Sequence, residues 1–204
     1  MNEPEAFNPL DKRNLGESVS DALLRGIASP LGELGAFNGA GIYAIYYRGA
    51  FVPYLPISDL NQNNALAMPH YVGRAVPPGA RKGGFGLDAD PSTALSARLR
   101  QHAASIDQAD NLNIEDFDCR FLVVEDIWIP LGENLLIAKF APIWNKLIDG
   151  LRNHDPGSGR YNQVQSRWDV LHPGRPWAQR LRDRPEGPEQ ISRELEAYLR
   201  DLLR

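Results

Sequence analysis

Gly41-Ile42-Tyr43-Ala44-Ile45-Tyr46-Tyr47 is the stretch on which the reading of this chain turns. It is rich in β-branched and aromatic residues, which suit a pleated, packed surface. Asn38-Gly39 precedes it and Arg48-Gly49 follows it, so turn residues bound it on both sides. Side chains alternate along a strand, so Tyr43 faces away from the side that Ile42 occupies. His70-Tyr71-Val72-Gly73-Arg74-Ala75-Val76 has the same character and is stopped by Pro77-Pro78-Gly79. If the two runs are neighbouring strands, Tyr43 and Tyr71 can face each other.

Working outward, Asp118 to Ile127 reads as a third strand. Ser92 to Ile106 reads as a helix with Leu95, Leu99 and Ile106 on one face. Glu133 to Phe140 reads as a helix broken by Pro142. Pro188 to Leu203 is an amphipathic helix burying Ile191, Leu195, Tyr198, Leu199 and Leu202. Before the first strand, residues 1–17 read as a polar arm and Ser18 to Ala28 as a short helix ended by Pro30 and Gly32. Phe51 to Leu55 reads as a returning strand that Pro53 confines to an edge. Residues 58–68 read as a polar loop, Gly79 to Asp90 as a Gly-rich basic loop, and Ser166 to Trp177 as irregular chain. The order predicts an α+β fold: a small, mainly antiparallel sheet flanked by helices, with loop insertions and a C-terminal helix. It divides into an N-terminal arm and short helix (1–38), a core (39–147), and a loop region with a C-terminal helix (148–204), together one compact domain.

The chain has 204 residues and a net charge of -4, which alone argues against a polyanion as partner. The average conceals segregation. Residues 71–105 carry five basic and two acidic side chains, and residues 145–184 carry eight and four. Brought together, these stretches make a positive face. The single cysteine, Cys119, excludes an internal disulfide and a cysteine-based metal site. It fits a reducing cytoplasm, as does the absence of an apolar stretch at Met1-Asn2-Glu3-Pro4.

Four segments place polar groups where a core does not want them. Tyr43 and Tyr71 sit on strands. Arg98 and His102 are four apart, so they share a helix face. Glu133 opens a helix after Gly132. This ordered set resembles the GIY-YIG nuclease superfamily over about residues 39–147. The motif halves stand here as Gly41-Ile42-Tyr43 and Tyr71-Val72-Gly73, the second with Val72 in place of isoleucine, and an insertion near residues 48–69 separates them. The resemblance places the helix arginine at Arg98, the helix glutamate at Glu133 and a later asparagine at Asn145. A closer likeness, to the branch of type II restriction enzymes that cut CCGCGG, rests on Glu133 followed by Leu135-Leu136-Ile137 and on further features. These are Arg98 with His102, Pro142-Ile143-Trp144-Asn145, and the stretches Gly157 to Gln163 and Trp168 to Arg175.

The resemblance implies Mg2+-dependent hydrolysis of double-stranded DNA. Glu133 then holds one Mg2+, with water and phosphate oxygens completing its shell. Tyr43 positions or deprotonates the attacking water, with His102 or Tyr71 relaying the proton, so either Tyr43 or His102 is the ultimate base. Arg98 contacts the scissile phosphate, and Asn145 bonds within the site or to phosphate. A site of G and C needs guanine readers, for which Arg160, Arg167 and Arg175 are candidates, with Gln165 and Asp169 beside them. Arg74, Arg81 and Lys82 are candidates for phosphate. A palindromic site is met by a homodimer. The competing readings are a homing or repair nuclease and a DNA-binding module with an inactive nuclease core.

Overall fold

The computed structural model describes residues 8, 10–76 and 92–204. Four strands, β1 (Ser29–Pro30), β2 (Gly41–Tyr47), β3 (Tyr71–Ala75) and β4 (Phe117–Val123), form one sheet in the order β1-β4-β2-β3, every neighbouring pair antiparallel. The helices are α1 (Lys12–Leu24), α2 (Leu55–Leu60), α3 (Ala94–Asp107), α4 (Ile129–Phe140), α5 (Ile143–Lys146), α6 (Arg167–Leu171) and α7 (Pro188–Leu202). The α+β architecture is the expected one. Among the described residues no helix is long and apolar enough to cross a membrane.

All seven residues of β2 are buried, because helices cover both faces of the sheet. On one face Ile42, Ala44, Tyr46 and Val72 pack with Leu23 of α1 and with Ile129 and Leu136 of α4. On the other, Tyr43, Ile45, Tyr47 and Tyr71 pack with Leu95, Leu99 and Ile106 of α3, Trp144 of α5, Trp168 of α6 and Leu195 of α7. Full burial of each aliphatic side chain of α3 stabilises the fold by roughly 1.5–3 kcal/mol. The buried residues of α7 are Ile191, Leu195 and Leu199, with Tyr198 and Leu202 partly covered.

Several expectations give way. The helix near the N-terminus spans Lys12–Leu24 rather than Ser18–Ala28, and so takes in part of the expected arm. Asp11 caps it by accepting the N–H of Arg13 at 2.8 Å. Ser29–Pro30 then pairs with β4 as a two-residue strand. Phe51 to Leu55 does not return as a strand: Val52–Tyr54 is a 3-10 turn leading into α2. Pro53 and Pro56 lack an N–H, which the first turn of a helix tolerates as readily as a sheet edge does. The helix bearing Glu133 begins at Ile129, so Glu133 is its fifth residue and does not open it. Within Ser166 to Trp177, α6 forms because Ser166 caps it, accepting the N–H of Asp169.

Candidate active site

Tyr43 projects from β2 onto the sheet face covered by α3. His102 comes from the buried side of α3, one turn beyond Arg98. The Tyr43 hydroxyl lies 2.6 Å from Nε2 of His102, both side chains fully buried. Burial raises the Tyr43 phenol well above its ordinary pKa and holds the His102 imidazole well below its own. Both are therefore neutral, and the phenol donates to the imidazole nitrogen. Tyr71 is two residues along β3 from Gly73, the register partner of Tyr43, and its ring centroid stands 6.1 Å from that of Tyr43. A Cβ on Gly73 would lie 2.5 Å from the Tyr43 hydroxyl oxygen and 2.9 Å from a Tyr71 ring carbon. Glycine at this position is what lets the two phenols converge.

Glu133 approaches from the other side of the sheet. α4 packs on the Ile42 face and lies along the edge strand β3. The Glu133 side chain is 9% exposed and pairs with Nε of Arg74, the exposed residue of β3, at 3.1 Å. Burial raises its pKa, while Arg74 and Arg152 pull it down. Its partner Arg74 lies on the same strand as Tyr71 and Gly73, so the carboxylate stands at the edge strand whose other face carries the phenols. The site thus wraps around the edge formed by Tyr71-Val72-Gly73-Arg74.

Arg98 closes the cluster. It donates to Oε1 of Gln101 and to Nε2 of His154, each at 3.1 Å. A guanidinium has no acceptor, so Nε2 of His154 accepts and that ring is neutral. Burial and then Arg98 lower its pKa accordingly. Arg152, two residues earlier, is exposed, and its charge acts on Tyr43, Tyr71, His102 and Glu133 alike. Neither Arg152 nor His154 was singled out from sequence. The basic character of residues 145–184 was the only signal, and it does not say which residues fold back.

A family model described as the Eco29kI GIY-YIG domain matches residues 35–199 of the chain. The chain belongs to this family. Membership of the Eco29kI GIY-YIG family makes it a nuclease domain of the restriction type, acting on DNA. No curated protein gives a match to it. The match runs through residue 199, so it takes in Arg152, His154, α6 and most of α7 as well as the sheet.

Within this Eco29kI GIY-YIG fold the other candidate residues scatter. Asn145 is given over to the backbone: its Oδ1 accepts the Val72 N–H and its Nδ2 donates to the Val72 carbonyl, both at 2.8 Å. It pairs the open edge of β3 between Tyr71 and Gly73, the first of the two expected alternatives, a bond within the site. Asp169 and Arg175 do not reach base edges. Their side chains are 1% exposed and paired, Nε to Oδ1 at 2.7 Å. Arg167 bonds Glu194 on α7, and Gln165 donates to the Ala178 carbonyl at 3.1 Å. Arg160 is exposed. Arg81 and Lys82 lie outside the described residues.

Proposed function

We propose that this nuclease is a type II restriction endonuclease. It cuts double-stranded DNA at a palindromic GC-rich site as a homodimer, with one Mg2+ per active site. CCGCGG is the site that the sequence resemblance implies. The observation that carries the reading is the buried Tyr43–His102 hydrogen bond, flanked by Tyr71, Arg98 and Glu133.

Phosphodiester hydrolysis needs a deprotonated water, neutralised phosphate charge and a stabilised leaving oxygen. As water attacks phosphorus, its proton passes to the Tyr43 oxygen while the phenol proton passes to Nε2 of His102. Phenol and imidazolium result. Burial opposes the imidazolium, and the anionic phosphate beside it offsets that cost. Tyr71 borders the same space and orients the water. Arg98 presents its planar fork to the phosphate oxygens.

Glu133 fits a Mg2+ of the kind that keeps most of its waters, which asks for one or two carboxylates rather than a cage. Among the described residues there is no group of three His, Cys, Asp or Glu side chains that could hold a metal. A Mg2+ held by Glu133 would draw its other ligands from water and phosphate oxygens. Held there, Mg2+ supplies charge stabilisation at the leaving oxygen. Arg74 then leaves Glu133 for a neighbouring phosphate, which its partly exposed side chain permits.

A palindrome presents the same bases to two copies of one chain, which supports the homodimer. The single buried Cys119 suits the cytoplasm as its compartment. Digesting DNA of known sequence with Mg2+ and mapping the ends tests the reading. Discrete fragments ending within one palindrome are expected. Binding without cutting, or cutting at scattered positions, overturns it.

A further inference from the structure

Arg175 and Asp169, set aside as base readers, support something else. The Arg175 guanidinium lies beneath the turn at residues 150–154 and bonds it from the inside. Its Nη2 donates to the Gly150 carbonyl at 3.0 Å and its Nη1 to the Asn153 carbonyl at 3.3 Å. Its ring-like plane rests between Trp168 and Trp177, 4.3 Å and 4.7 Å from their centroids. Asp169 neutralises it and is itself held by Ser166. Above this base the Asn153 N–H donates to the Gly150 carbonyl at 2.9 Å, which closes a tight turn. Gly150 takes a positive φ of 121°, and a Cβ there would collide with Ser166. Leu151 is buried and Arg152 is exposed at the tip. On the far side of the tip His154 is tied to Arg98.

A buried guanidinium–carboxylate pair is a costly way to gain stability, since apolar side chains of the same volume do as well. What it achieves here is orientation: it fixes the turn that carries Arg152. Among the described residues no carboxylate lies within ion-pair distance of Arg152. Its charge falls on Tyr43, Tyr71, His102 and Glu133. The turn that carries Arg152 is held against Arg98 through His154, and Arg98 shares its helix with His102, one turn away.

Building on the nuclease reading, we propose that Arg152 is a second catalytic arginine. It contacts the scissile phosphate opposite Arg98, and Arg175 is the positioning residue that aims it.

The test compares Arg152→Gln, Arg152→Lys, Arg175→Lys and the Arg152→Gln/Arg175→Lys double variant with the unmodified chain. Single-turnover cleavage of duplex DNA is measured at saturating enzyme with Mg2+, and DNA affinity is measured against salt without cleavage. Arg152→Gln is expected to slow cleavage about 10²–10³-fold and to reduce the salt slope of binding by about one, with the melting temperature unchanged. Arg152→Lys should recover part of the rate. The double variant should be no slower than Arg152→Gln, because Arg175 acts through Arg152. A wild-type rate in Arg152→Gln, or a further multiplicative loss in the double variant whose melting temperature stays high, overturns the assignment. Failure of the unmodified chain to cut would sink the proposed function instead, and the salt slope would then decide on Arg152 by itself.

Discussion

Nε2 of His102 lies 2.6 Å from the Tyr43 hydroxyl, and burial favours the uncharged form on both sides of that bond. The proposed mechanism requires that the negative charge of a phosphate beside the pair offset the cost of the imidazolium. In the proposed mechanism this neutral pair is where the proton moves.

Tyr43→Phe keeps the ring and removes the proton path. We predict a loss in single-turnover cleavage of about 10²–10⁴-fold, with DNA binding retained. The buried His102 nitrogen is left without its donor, so chemical denaturation should show a loss of about 1–3 kcal/mol. Near-wild-type cleavage by Tyr43→Phe would remove the phenol from the mechanism.

Gly73→Ala probes the convergence of the phenols. The added methyl must push against the Tyr43 hydroxyl and the Tyr71 ring. The expected cost is about 1–3 kcal/mol of stability from overpacking. A displacement of about 1 Å at the reacting group lowers cleavage by about 10²-fold. Paired unfolding and cleavage measurements check this. An alanine variant that cuts normally would show that the phenols need no such closeness.

Acid should destabilise the fold through its buried histidines. Burial pushes His70 and His172 down to about 3 and holds His102 well below its ordinary value. Each is neutral when folded and takes up its proton on unfolding. Their contributions are therefore steady above about pH 6.5 and are lost as pH falls from there toward 3. Each such histidine contributes a slope of about 1.4 kcal/mol per pH unit. Neither ring nitrogen of His70 has a hydrogen-bond partner among the described residues. His70→Phe should thus flatten the profile by one proton without loss of stability at pH 7. Denaturation curves between pH 4 and 8 measure it, and an unchanged slope in the variant would contradict the assignment.

The strands carrying the two tyrosines, the helix carrying Arg98 and His102, and the C-terminal helix were legible because their apolar spacing and their stop residues agree. The two-residue strand Ser29–Pro30 was not, since it owes its existence to Cys119 and Asp118 across the sheet. The helix after Pro53 was misread because a missing N–H suits an edge strand and a first helical turn equally. Charge misled most at Asp169 and Arg175. Charged residues in a sequence read as surface, and only the folded chain shows these two buried as a pair, with Arg175 against Trp168 and Trp177. Asn145 read as a residue bonding within the site, and the fold shows the partner that the sequence could not name, the backbone of Val72 on the edge of β3. Arg152 and His154 gave no local pattern, because the contact of His154 with Arg98 depends on a turn held by Arg175, more than twenty positions away.

The account rests on Glu133 acting together with the phenols from across the edge strand. Its most direct test is Glu133→Gln, which keeps the shape of the side chain and removes its charge. With Mg2+ present, cleavage of duplex DNA should fall below detection while binding of the same duplex stays within a few-fold of the unmodified protein. Cleavage at an undiminished rate would place Glu133 outside the reaction and contradict a site built around this strand.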